Sequence, residues 1–210
     1  FGAVLRGQQD QPAESYLLLK LGPGGYRYHN TEGSIVFFAN GKPLIYDGGE
    51  AGETWRHSTL SFYENHTMLA PGHVERFLDS RCLGFIQGVN PKVLAPGEAN
   101  YLNDTCRPEG ADIGFRNYHA PNPANARSLF WVKNDYLVMH DALNIDADIP
   151  SHWHLQIVGD EHRGNVGKGW VFKGRFGTDL QVLMPSANDA EVAIKQTPIL
   201  DIRPVDECFS

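Results

Sequence analysis

Apolar and polar positions alternate along much of this chain, and helical periodicity is not convincing anywhere in it. Residues 16–21 read YLLLKL and close at the turn GPGG. Two apolar runs, 34–39 and 43–46, flank Asn40 and Gly41. That dipeptide favours the positive φ angles of a type I′ turn, so the pair predicts a β-hairpin. The runs HTMLAPG, VERFLDSRCLGFIQGV and ADIGFRNYH predict further strands. A second hairpin is expected in SLFWVKNDYLVMHDALNI, with Lys133, Asn134 and Asp135 at its turn and Trp131 with Tyr136 as a cross-strand aromatic pair. HWHLQIV, GWVFKGRFG and DLQVLMP complete about a dozen strands. Strands so spaced, with turn residues between them, imply an all-β antiparallel sandwich of two layers rather than βαβ units.

Composition narrows the class. With 210 residues, 41% hydrophobic and 11% aromatic, the chain can bury a core as one domain. Residues 186–210, richer in acid and proline, read as a surface tail of that single domain 1–210. The 22 glycines and 13 prolines suit a protein of many turns. A formal charge of −7, from 18 Lys and Arg against 25 Asp and Glu, argues against a general nucleic-acid or anionic-membrane surface but leaves room for a local basic cleft. No apolar run approaches the roughly 20 residues of a membrane span. The opening stretch FGAVLRGQQD has no initiator Met and no signal-peptide pattern, so the chain is expected to be a piece of something longer.

Cys82, Cys106 and Cys208 stand apart without CxxC spacing, which disfavours a thiol metal or redox motif and leaves one disulfide plus one thiol open. Asn65-His66-Thr67 and Asn103-Asp104-Thr105 fit the glycosylation acceptor pattern. Ser34 has no Gly-x-Ser-x-Gly surroundings, and LGPGGYRY lacks a dinucleotide or Walker pattern. Hydrolase and nucleotide-binding readings therefore fall away.

The succession YHNTEGSIVFFANGKPLIYDGG, HTMLAPG, RSLFWVKNDYLVMHDAL and HWHLQ resembles the β-sandwich domain of the heparinase II/III-like polysaccharide lyases, over roughly residues 14 to 185. The resemblance implies a sandwich that, in the full-length family, follows an N-terminal α-helical toroid absent from this chain. An acidic polysaccharide would lie between the two, and the location would be secreted or periplasmic. It also implies β-elimination at a uronic acid. The uronate carboxylate is neutralised, a base takes the C5 proton, and an acid protonates the departing O4. Candidate catalytic residues are Arg27, Tyr28 and His29; Arg27 stands where the family commonly has His, and a guanidinium can neutralise a carboxylate but cannot readily serve as a base.

The resemblance further implies a divalent metal, zinc or else manganese, held by His29, Asp47 and His66, with Asn65 and His57 as alternatives for the third position. Arg116, Tyr118 and His119, before the loop APNPANAR, are candidates for sugar contact. His152 and His154 alternate with Trp153, so the two imidazoles face one side of a strand and the indole the other. A uronate C5-epimerase of the dermatan sulfate type would begin with the same proton abstraction, and a non-catalytic carbohydrate-binding or interdomain module would need none of it.

Overall fold

The computed structural model describes residues 2–22, 31–48, 53–64, 66–96, 122–165, 167–184 and 191–195. Among these the chain is nearly all β, with one 3-10 turn at Thr54–Arg56. Two antiparallel sheets make the sandwich. The first has the order β1-β2-β3-β4-β11, formed by β1 (Ala3–Gly7), β2 (Ser15–Leu19), β3 (Ile35–Ala39), β4 (Lys42–Tyr46) and β11 (Gln156–Ile157). The second has the order β6-β7-β8-β9, from β6 (His73–Asp79), β7 (Leu83–Asn90), β8 (Asn125–Val132) and β9 (Tyr136–Leu143). Two small sheets flank them: β5 (Leu60–Phe62) with β10 (Ser151–Trp153), and β12 (Gly159–Asn165), β13 (Gly169–Gly174) and β14 (Leu180–Val182).

The expected hairpins form. Asn40 and Gly41 join β3 to β4 with φ of 54° and 69°, the double left-handed turn that the dipeptide favours. Asn134, at φ 65°, turns β8 into β9. The expected Trp131–Tyr136 pair does not form, because Trp131 stands opposite Leu137 and Tyr136 opposite Val132. Alternation then sends Trp131 inward, edge-on to Phe37 at 5.8 Å, and leaves Tyr136 exposed.

The core lies between the sheets. Leu5, Leu17, Leu19, Ile35, Phe37 and Ile45 from the first layer meet Ile86, Leu129 and Trp131 from the second. Glycine lets the layers approach: a Cβ on Gly84 would come within 2.5 Å of Leu5 Cδ1, and one on Gly88 within 2.2 Å of Leu21 Cδ1. Trp153 packs against the second core of Leu60, Phe62 and Leu69. Cys82 is a free, exposed thiol in the turn between β6 and β7, while Cys106 and Cys208 lie outside the described residues.

Candidate functional site

The inward face of the second layer changes character along its length. In β7 the inward positions run Gly84, Ile86, Gly88, Asn90, and opposite them in β8 stand Trp131, Leu129, Arg127, Asn125. Apolar packing thus gives way to buried amides and a guanidinium within one pair of strands. The first layer matches it, since Leu19 and Ile35 are followed by Thr31, Glu32 and Ser34, all buried. This polar end anchors both flanks of residues 23–30, through Gly22 on one side and Thr31 on the other. Groups that forgo water inside a protein ordinarily need partners; Glu32 and Arg127 have them here, whereas the Asn125 amide and Asn90 Oδ1 have none among the described residues.

Asp47 and His57 form an enclosed pair there. β4 ends at Tyr46 and delivers Asp47 beside Ser34, whose hydroxyl lies 3.3 Å from Asp47 Oδ1. His57, with no exposed surface, sets its Nδ1 against the same oxygen. Lys20, just past β2, places Nζ 2.5 Å from Oδ2. The Lys20 backbone is itself clamped, its N–H donating to Ser34 O at 2.8 Å and its carbonyl accepting from Gly33 N at 2.9 Å. Burial would raise the Asp47 carboxyl, but the hydrogen bonds and charge of His57 and Lys20 outweigh it and hold the group below the usual carboxylate range. An ionised Asp47 only accepts, so the His57 Nδ1 facing it carries the proton.

Glu32 and Arg127 stitch the layers at this end. Glu32 Oε1 accepts from Gly22 N at 3.0 Å, Gly72 N at 2.7 Å and Asn90 Nδ2 at 3.1 Å. Burial pushes its carboxyl up to about 7 despite those three donors. Arg127, 1% exposed, grips Asp141 with Nε at 2.7 Å and Nη2 at 2.8 Å, and its Nη1 donates to Gly33 O at 2.5 Å. Such a fork fixes direction as well as charge.

A second polar group surrounds Ser61 on β5. Its hydroxyl lies 3.0 Å from His66 Nδ1 and 2.7 Å from His154 Nε2. The His66 ring is 4.9 Å from that of His152 and 5.5 Å from that of His154. Burial, with the neighbouring imidazoles adding to it, pushes His154 down to about 4, and burial likewise lowers His66.

Arg27, Tyr28, His29, Asn65, Arg116, Tyr118 and His119 lie outside the described residues. Of the expected metal set, Asp47 bonds with Lys20, His57 and Ser34, while His66 belongs to the separate group around Ser61. Among the described residues no three His, Cys, Asp or Glu are grouped to hold a metal ion. As arranged, an ion bound at Asp47 Oδ2 would have to displace the Lys20 ammonium. Lys20 and Arg127 were not singled out in the sequence, and each bonds to partners far along the chain.

No model of a protein family matches the chain, and no curated protein matches it. Solved structures do. Heparinase III, the BT4657 gene product with methylated lysines, superimposes with a TM-score of 0.60 at 17% identity, over 85% of this chain and 26% of that one. The same gene product without methylation gives 0.57 at 18% identity over 80% and 25%. Heparan sulfate lyase HepC from Pedobacter heparinus gives 0.54 at 17% identity over 84% and 26%. The chain has the heparinase III sandwich fold. It spans about a quarter of the length of the heparinase III and HepC chains. No helix among the described residues is long and apolar enough to cross a membrane.

Proposed function

We propose that this chain is the β-sandwich portion of a polysaccharide lyase that cleaves uronate-containing glycans of the alginate or glycosaminoglycan type by β-elimination. The structural match to heparinase III over 85% of the chain supports this reading most strongly. The polar end adds support, because it anchors both flanks of residues 23–30, the stretch that carries Arg27, Tyr28 and His29.

Removing a proton next to a carboxylate builds negative charge on that carboxylate, so fixed positive charge must face it as the reaction proceeds. In the proposed reaction the Arg27 guanidinium meets the uronate carboxylate. A base takes the C5 proton, the C4–O4 bond breaks as a double bond forms between C4 and C5, and the O4 leaving group gains a proton. Tyr28 is assigned to proton transfer, and His29 to the same site. Arg116, Tyr118 and His119 are assigned to sugar contact. Part of the machinery, with the larger domain that full-length relatives carry, is expected outside these 210 residues.

The test incubates the intact protein with alginate, heparan sulfate and chondroitin sulfate and follows ultraviolet absorbance. Elimination creates a conjugated unsaturated uronate, and Arg27→Ala is expected to abolish its formation. No absorbance change on any polyuronate refutes the lyase. Deuterium uptake at C5 without cleavage would identify an epimerase instead.

A further inference from the structure

We infer that the Lys20 ammonium is the resident cation of the Asp47–His57 pair, in the place where the family resemblance puts a divalent metal. The geometry carries this on its own and does not depend on lyase activity. Asp47 is nine-tenths buried, and among the described residues its two oxygens meet three donors: Lys20 Nζ on Oδ2, and His57 Nδ1 and the Ser34 hydroxyl on Oδ1. Among the described residues, the Lys20 ammonium sets its charge directly against the Asp47 carboxylate.

A transition metal would bind a carboxylate oxygen at about 2.0–2.2 Å, which is the side of Oδ2 that Nζ occupies at 2.5 Å. Ammonium and metal cannot share that position, and a dication brought beside a fixed monocation is repelled. Lys20 is not free to swing away cheaply. Departure of the ammonium would take the ion-pair partner of Oδ2 from a largely buried carboxylate. Lys20 thus acts as a positioning residue: it fixes Asp47, which fixes the His57 ring and, through Ser34, the start of β3.

The test compares wild type, Lys20→Met, Asp47→Asn and the double variant in the intact protein. Each is incubated with zinc or manganese, dialysed, and examined by elemental analysis and thermal unfolding. Wild type and Asp47→Asn are expected to retain the same metal content, and a chelator is expected to leave the wild-type Tm unchanged. Lys20→Met is expected to lower the Tm by several degrees, and the double variant to recover part of that loss, because it removes the stranded carboxylate. Stoichiometric zinc or manganese that disappears in Asp47→Asn overturns the inference. So do losses that simply add in the double variant, since additive losses mean the ammonium and carboxylate are not coupled. Should Lys20→Met fail to fold, the double variant and the metal content of Asp47→Asn still decide.

Discussion

Glu32 offers a measurement in which sign and size both follow from the structure. Its carboxyl is 8% exposed, and its three described donors all converge on Oε1, leaving Oε2 to carry a proton. Moving the group from 4.5 to about 7 on folding costs, at about 1.36 kcal/mol per tenfold, on the order of 3 kcal/mol once the carboxyl must ionise. Between pH 4.5 and 7 the folded chain holds this proton more often than the unfolded chain does. The stability it brings is therefore present in full below 4.5 and is lost as pH rises through about 7. Glu32→Gln keeps an Oε1 for the same donors and removes the ionisation. Urea unfolding at pH 5 and pH 8 should find the variant about equal to wild type at the lower pH and more stable by up to about 3 kcal/mol at the higher. The difference between the two proteins cancels the other titrating groups. A variant less stable than wild type at pH 8 would show that the three donors hold a charged carboxylate, and the reasoning would fail.

Arg127→Met leaves Asp141 and the Gly33 carbonyl without their donors, so a loss of about 3 kcal/mol or more is expected in urea unfolding; near-neutrality would mean the fork contributes nothing net. Gly41→Ala meets both a φ of 69° and the Pro12 carbonyl, 2.5 Å from the new Cβ, and should cost more than about 1 kcal/mol by thermal unfolding, whereas an unchanged Tm would contradict the required turn. Leu129→Ala, with the side chain fully enclosed between the layers, should cost about 2–5 kcal/mol by the same assay. His154 should titrate by NMR near 4 and not near 6.5; its neutral burial stabilises the fold fully above 6.5, and that contribution is lost as pH falls through about 4.

The architecture was legible where local chemistry decides it. Asn40-Gly41 announces a turn whose φ angles only such residues take easily, and HWH fixes by parity that Trp153 and the two imidazoles take opposite sides, the packing against Leu60, Phe62 and Leu69 then deciding which side is the core. The Trp131–Tyr136 pairing failed because register across a turn, not distance along it, determines which side chains meet. Lys20 read as one polar interruption in YLLLKL, and its partner Asp47 is 27 residues away, a contact only the folded sheet creates. Arg127 stands in the sequence where the proline-rich stretch APNPANAR meets the strand run RSLFWV. Its parity with Leu129 and Trp131 was the signal that could have placed it inside.

The gradient from indole and leucine to guanidinium and amide along β7 and β8 bears on how this molecule tolerates drift. Where Trp131, Leu129 and Ile86 meet the first layer, contacts are non-directional, and compensating exchanges of similar bulk are accessible in single steps. Around Arg127, Asn90 and Glu32, each group answers to partners from distant segments, so no single exchange restores what another removes. Descendants of this chain would then diverge first at one pole, while the opposite pole stays locked.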